Sequence, residues 1–225
     1  MTFRVYLVED EANLNSLLVS YFEREGWNVA SFLTGESARQ AIPDRPDLWI
    51  LDIMLPDIDG YQLISEIKEL TPHVPVIFIS ARDAGLDRII GLEKGSDDYL
   101  PKPFLPRELA IRAKKLLERV YPTTSPSQTA PAISLPPYRI DQLQRSVSTA
   151  GGKLELTAKE FELLLLFAAQ PVRAFSCEHI LTRIWGDGYF GSDRVVDDLV
   201  RRLRKKAPAL QIETIYSFGY RLAPA

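Results

Sequence analysis

Leu48-Trp49-Ile50-Leu51-Asp52, followed by Ile53-Met54-Leu55-Pro56-Asp57-Ile58-Asp59-Gly60, decides how the first half of this chain is built. Four apolar residues run into a carboxylate, and Pro56, Asp57, Asp59 and Gly60 then turn the chain. A short apolar run bounded by turn residues is the pattern of a buried strand. An acid at its end stands where an open parallel sheet collects its chemistry. Other runs finish in the same manner. Phe3 to Val8 stops at Glu9-Asp10-Glu11, Val74 to Ile79 stops at Ser80, and the less apolar Tyr99-Leu100-Pro101 ends at Lys102. If all four are parallel strands, one rim gathers Glu9, Asp10, Asp52, Ser80 and Lys102.

Helical patterns lie between these runs. Leu14, Leu17, Leu18, Tyr21 and Phe22 recur at helical spacing before Gly26, a helix stop. A short strand over 28–32 precedes a helical stretch over 36–42. Leu63, Ile64, Ile67 and Leu70 form another stripe, Ile89, Ile90 and Leu92 a shorter one, and Leu109, Leu116, Leu117 and Val120 a last one. Five βα units imply an α/β domain with a doubly wound five-stranded parallel sheet, helices on both faces. Right-handed crossovers give the flavodoxin-like strand order 2-1-3-4-5. Strands one and three are then neighbours, so Glu9, Asp10 and Asp52 meet at the switch point.

The chain has 225 residues, enough for two domains, and its 46% hydrophobic content supplies cores for both. No stretch reaches the roughly eighteen apolar residues of a membrane span, and the N-terminus reads as a strand rather than a signal. A soluble, cytoplasmic protein without direct membrane insertion is expected. The single cysteine, Cys177, excludes an intramolecular disulfide framework and a multi-cysteine zinc site. A Pro/Ser/Thr-rich stretch at 122–136 reads as a linker between domains over 1–121 and 137–225. Up to Pro136 there are 14 basic and 20 acidic residues; beyond it, 13 and 10. That asymmetry fits a metal- or phosphate-handling module joined to a nucleic-acid binder.

Past the linker the pattern changes. Strand candidates at 138–140, 145–148 and 153–156 come first. Thr157 followed three residues later by Glu160 forms a capping-box start for a helix over 158–169. Further helices are expected over 177–184 and 193–206, then a hairpin from Gln211 to Leu222 with its turn at Ser217-Phe218-Gly219. Three helices and a terminal hairpin describe a winged helix-turn-helix.

Converging carboxylates repel, so Glu9, Asp10 and Asp52 charged together require a divalent cation, and oxygen ligands select magnesium or manganese. Such an ion would screen a phosphoryl donor and allow Asp52 to attack phosphorus. Lys102 would offer a point charge and Ser80 a hydroxyl to the phosphoryl oxygens. An aspartyl-phosphate phosphatase uses similar parts but places a second Asp two residues after the first, where this chain has Met54. A nucleotide-binding adaptor would need a Gly-rich loop after the first strand, which is missing.

Glu9-Asp10, Asp52 with Met54-Leu55-Pro56 and Gly60, Ser80-Ala81, Gly95-Ser96-Asp97-Asp98-Tyr99 and Lys102-Pro103-Phe104 resemble the receiver domain of two-component response regulators. The resemblance implies Asp52 as phosphoacceptor, with Glu9, Asp10, Asp52 and the Met54 carbonyl around the metal. It makes Ser80 and Tyr99 a switch pair and Lys102-Pro103 a cis bond. Arg88, Asp97, Asp98, Glu108, Arg112 and Arg119 match residues that pair across a two-fold dimer in the OmpR/PhoB subfamily. The implied pairs are Arg88–Glu108, Asp98–Arg112 and Asp97–Arg119. The only catalysis implied is metal-assisted self-phosphorylation and dephosphorylation.

On a helix stepping about 100° per residue from Arg194, Asp198, Arg201 and Lys205 fall within about 40° of it. Val196, Leu199 and Leu203 lie opposite, with Arg202 and Arg204 flanking the polar stripe. An apolar back and a basic front of this width suit the major groove of DNA. An Arg can hold guanine bidentately, and Asp198 can accept from cytosine. Leu156-Thr157, Glu160-Phe161, Asp193-Arg194, Val196-Asp197, Arg201-Arg202-Leu203-Arg204 and Gly219-Tyr220-Arg221 also match the OmpR/PhoB family. Leu199 stands where His is frequent, and Tyr216-Ser217-Phe218 replaces the usual Arg-Gly wing tip, so wing contacts are expected through Tyr216 and Arg221. Within the family the chain resembles the CssR-type secretion-stress regulators of Gram-positive bacilli. The partners implied are a sensor histidine kinase, promoter DNA, a second copy of the chain after phosphorylation, and RNA polymerase.

Overall fold

The computed structural model describes residues 2–81, 95–121, 132–186 and 194–223. The helix expected around Ile89, the residue Arg88, most of the linker and Asp193 lie outside them. The chain divides into two compact units, Met1–Thr123 and Thr124–Ala225.

In the first unit five parallel strands stand in the order β2-β1-β3-β4-β5. They are β1 (Arg4–Val8), β2 (Asn28–Phe32), β3 (Leu48–Asp52), β4 (Val76–Ser80) and β5 (Asp98–Pro101). Every residue of β3 and β4 is buried, which explains why they read as unbroken apolar runs: both sheet faces are covered. The helices are α1 (Ala12–Arg24), α2 (Gly35–Gln40), α3 (Gly60–Leu70) and α4 (Pro106–Val120). Helix α2 stops short of the expected Ile42, and a 3-10 turn at Ile42–Asp44 follows. Pro43 lacks the N–H that another α-helical turn would need. Trp49 is fully buried, with its ring 5.0 Å from Tyr6 in an edge-on contact.

Register places the chemistry. Val8 pairs with Leu51, and Asp52 with Ile79, so Glu9 and Asp52 emerge at one end of the sheet and Ser80 follows on the next strand. Lys102 continues past β5, its N–H donating to the Ser80 carbonyl at 2.7 Å. The Lys102–Pro103 bond is cis.

The second unit opens with a four-stranded antiparallel sheet, β6 (Ile133–Leu135), β7 (Tyr138–Asp141), β8 (Ser146–Thr149) and β9 (Gly152–Leu154). Strand β6 corrects the linker expectation, because residues 133–135 pair with β7. Three helices follow: α5 (Ala158–Ala169), α6 (Cys177–Trp185) and α7 (Arg194–Lys206). The capping box is present, with Thr157 N–H donating to Glu160 at 2.8 Å and Glu160 N–H to Thr157 at 3.4 Å. Strands β11 (Ile212–Ile215) and β12 (Gly219–Leu222) make the hairpin, and β10 (Ala174–Ser176) joins it in the order β10-β12-β11. Only Phe175 of β10 is buried, and three residues are too few to leave a signal in the sequence.

Gly60 opens α3 against the end of β3. A Cβ there would sit 2.5 Å from the Asp52 carbonyl oxygen and 2.7 Å from Ile53 Cα. Both are backbone atoms that cannot swing aside, so Gly60→Ala should destabilise the first unit by about 1–3 kcal/mol. Urea unfolding of the two proteins measures it; equal midpoints would contradict the close-approach argument.

Candidate metal centre and nucleic-acid interface

Glu9 and Asp52 are buried, at 0% and 3% exposure, whereas Asp10 is exposed. One oxygen from each of the three lies within 4.8 Å of the others. Lys102 bridges the two buried acids, with Nζ 2.6 Å from Asp52 Oδ2 and 2.8 Å from Glu9 Oε1. Asp52 Oδ1 accepts the Met54 N–H at 2.8 Å. Asn15, a polar residue in the buried stripe Asn15-Leu18-Phe22 of α1, donates to the carbonyls of Glu9 at 3.0 Å and Phe32 at 3.3 Å. The sequence carries a signal for it, a polar residue at a position of the apolar stripe.

Burial pushes the Glu9 carboxyl up from its usual range and the Asp52 charge adds to this, while Lys102 pulls part of the way back. For Lys102, burial alone would favour the neutral amine. Its hydrogen bonds and charge interactions with Asp52 and Glu9 outweigh that and hold the ammonium above its ordinary value. Three carboxylates against one ammonium leave two net negative charges beside the shared point, the complement of a divalent cation. The donors are all hard oxygens, and the open mouth is lined by Asp10 and residues 53–59.

Ser80 is fully buried at the end of β4, and Tyr99 is 3% exposed, its ring in the core cluster with Trp49 and Phe78. Among the expected dimer residues, Arg112 lies 3.2 Å from Asp98 and 2.9 Å from Glu108 within the same chain. Asp97 departs from the expectation of an exposed pair. Its side chain is 1% exposed, 3.2 Å from Lys68, and accepts the Val76 N–H at 2.9 Å. Arg119 is half-buried, and Arg88 lies outside the described residues.

In the second unit, α7 buries Val195, Val196, Leu199, Val200 and Leu203 and exposes Arg194, Arg201 and Lys205. Asp198 accepts two bonds from the Arg201 guanidinium, at 2.9 and 3.2 Å, and so orients that fork on the open face. Arg202 and Arg204, expected beside the groove, turn inward instead. Arg202 is 3.6 Å from Glu160, a 1%-exposed carboxylate that also takes Lys206 at 2.7 Å. Arg204 donates to the Ile212 carbonyl at 2.6 and 3.2 Å and to Thr214 at 3.1 Å, fastening α7 to the hairpin. The Tyr220 hydroxyl adds a bond to Asp197 at 2.7 Å. Burial and Asp197 raise the Tyr220 pKa far above its ordinary value, so this hydroxyl stays a donor. Tyr216 is 89% exposed at the hairpin tip, and Arg221 pairs with Glu213 at 2.7 Å on the strand surface.

An acid pocket suited to a divalent cation on one unit and a basic helix with a hairpin on the other are the parts of a signalling transcription factor. Residues 5–114 match the response regulator receiver domain, and residues 151–222 match the C-terminal domain of transcriptional regulatory proteins. The chain belongs to the OmpR/PhoB-type two-component response regulators. It is 58% identical to the transcriptional regulatory protein CssR of Bacillus subtilis, over 99% of both chains. Identity to the transcriptional regulatory protein CreB of Escherichia coli is 37%, over 97% of this chain and 96% of that one. Among solved structures, the OmpR/PhoB homologue DrrB of Thermotoga maritima matches with a TM-score of 0.53 at 30% identity, over the whole of both chains. A RitR mutant superimposes at a TM-score of 0.76 with 21% identity, over 99% of this chain and all of that one, a likeness of fold. The two domains imply a histidine kinase upstream and DNA downstream. Among the described residues no helix is long and apolar enough to cross a membrane.

The raised Lys102 pKa fixes a pH dependence. A cation whose folded pKa exceeds its unfolded value stabilises the fold fully below the unfolded value, here 10.5, and loses that contribution as pH rises through the folded one. The stability gap between wild type and Lys102→Met in urea should therefore be widest near neutrality and close above 10.5. A gap that stays constant across that range would show the ammonium is not coupled to Asp52 and Glu9. The two arginine fates also separate. Arg204→Ala should destabilise the second unit by about 1–3 kcal/mol, leaving partly buried acceptors unpaired, whereas Arg201→Ala should stay within about 0.5 kcal/mol of wild type. Thermal unfolding of both variants checks the pair of values.

Proposed function

We propose that Asp52 is the phosphoacceptor of this response regulator and that its phosphorylation controls promoter binding through α7 and the hairpin. One observation carries the proposal: Glu9, Asp10 and Asp52 present oxygens to a common point while Lys102 bonds to two of the three. Mg2+ or Mn2+ held by Glu9, Asp10, Asp52 and the Met54 carbonyl would supply charge neutralisation for the carboxylates and the incoming phosphoryl group. An Asp52 oxygen attacks phosphorus as the bond to the donor breaks. Lys102 holds the transferred oxygens by charge, and the Ser80 hydroxyl donates to them from the neighbouring strand. Tyr99, on the strand that pairs with that of Ser80, would couple that event to the dimer face.

That face retains Asp98, Glu108 and Arg112 as exposed or half-exposed charges, with Arg119 further along α4. Exchange of their intrachain pairs for pairs with a second copy leaves charge–charge contacts nearly constant, so phosphorylation need supply only a small bias. On DNA, Arg201 is the base-reading fork, with Asp198 orienting it. Arg194 and Lys205 contact phosphates, and Tyr216 and Arg221 face the groove beside the hairpin. The Arg221–Glu213 pair is exposed, hence weak, and a phosphate oxygen can compete for the guanidinium. The similarity to CssR supports a role in secretion stress: a membrane sensor kinase detects misfolded exported protein, and the promoters are those of quality-control proteases. RNA polymerase is then a partner at those promoters, and the protein acts in the cytoplasm.

Asp52→Asn should abolish labelling by acetyl phosphate in the presence of magnesium. Retained labelling at wild-type level would remove Asp52 from its role. Arg201→Ala should weaken promoter binding by about 1–3 kcal/mol in a gel-shift titration, while its folding stability stays near wild type. An unchanged footprint would take base reading away from Arg201.

A further inference from the structure

The loop from Ile53 to Asp59 leaves the phosphoacceptor and carries Met54, whose side chain is 48% exposed. Hydrogen bonds hold this loop at its start, middle and end. At its start the Met54 N–H donates to Asp52 at 2.8 Å. At its end Asp59 accepts the Tyr61 N–H at 2.8 Å, and the Gly60 N–H donates to the Ile53 carbonyl at 3.1 Å. Between them the Asp57 carboxylate reaches a different element. Its Oδ1 accepts the Gly35 N–H at 2.9 Å and its Oδ2 the Glu36 N–H at 2.8 Å, both at the start of α2.

The surroundings are shaped for this contact. A Cβ on Gly35 would lie 2.9 Å from Ile58 Cβ and 3.3 Å from both Leu55 Cδ1 and Asp57 Oδ1, so a glycine lets the loop seat on the helix. Thr34 accepts the Ser37 N–H at 3.2 Å, so the start of α2 keeps a cap of its own beside the two N–H groups that Asp57 takes. Asp57 is exposed, yet the hydrogen bond from Glu36, helped by the one from Gly35, holds its carboxyl below the usual range; the charged, clamped form is the one present near neutrality.

We propose that Asp57 is a positioning residue: its bidentate clamp on α2 holds the loop so that the Met54 carbonyl completes a divalent-cation site with Glu9, Asp10 and Asp52. This rests on the metal reading given above. A carbonyl ligand must stand within about 0.5 Å of its place to contribute, and residues behind a ligand commonly supply that precision.

The full chain with Mg2+ alone tests it. Isothermal titration gives the Mg2+ affinity of wild type, Asp57→Ala, Asp57→Asn and Thr34→Ala, and thermal unfolding without metal accompanies each. Asp57→Ala should weaken Mg2+ binding by about 10-fold or more, while its unfolding temperature falls no further than that of Thr34→Ala, which loosens α2 but leaves the clamp intact. Asp57→Asn, keeping one acceptor, should recover part of the affinity. At saturating Mg2+ the rate of acetyl phosphate labelling of Asp57→Ala should return towards wild type. Unchanged Mg2+ affinity in Asp57→Ala, or an equal loss in Thr34→Ala, would overturn the proposal. A wild-type chain that takes up no Mg2+ would instead overturn the metal reading on which it stands.

Discussion

One ammonium shared between two buried carboxylates organises the receiver half. Lys102 stands 2.6 Å from Asp52 and 2.7 Å from the nearer Glu9 oxygen, and neither acid has solvent to stabilise its charge. Leaving such an acid unpaired costs several kcal/mol, so the three residues must arrive together. They come from the ends of β1, β3 and β5, separated by 43 and 50 positions in the chain. Only parallel strands with β1 beside β3 deliver all three to one rim. The doubly wound topology is thus the scaffold this ionic constraint requires.

The DNA-binding half solves a similar problem with its own buried acid. Glu160 closes the capping box of α5, takes Lys206 at 2.7 Å and has Arg202 at 3.6 Å. Two cations on α7 therefore neutralise a carboxylate on α5, while Arg204 and Tyr220 fasten α7 to the hairpin. Recognition helix and wing become one rigid piece. The exposed cations Arg194, Arg201 and Lys205 keep fixed spacing because the inward-facing ones are occupied.

The sheet order, β2 to the residue and β3 to within one, α5 and its capping box, and the meeting of Glu9, Asp10 and Asp52 were all legible in the sequence. Each rests on periodicity or on local hydrogen bonding, which neighbouring residues determine. What escaped depends on distant partners. Strand β6 alternates over only three residues, Ile133-Ser134-Leu135, and exists by pairing with β7; β10 likewise depends on β12. Arg202 and Arg204 sit about 80° from the centre of the polar stripe, where a long side chain can turn either way. The buried Glu160 and the Ile212 carbonyl decide the direction, and nothing local to α7 announces them. Asp57 was missed for the same reason, since its partners lie on α2.

Asp97 shows how magnitudes bear on the proposed dimer surface. An exposed ion pair contributes about 0–1 kcal/mol, so an Asp97–Arg119 contact between copies would add little. Asp97 is already committed to Lys68 and the Val76 N–H, with side-chain exposures of 1% and 9% for the acid and the lysine. Removing one partner from a buried pair costs about 3–5 kcal/mol. A two-fold interface would use the exchange twice, gaining at most about 2 kcal/mol while leaving two buried lysines without their acid. The balance favours keeping Asp97 inside, pinning the end of α3 to the entry of β4. In the proposed dimer, charge exchange between copies would then fall to Asp98, Glu108 and Arg112, whose intrachain contacts are partly hydrated and cheap to break.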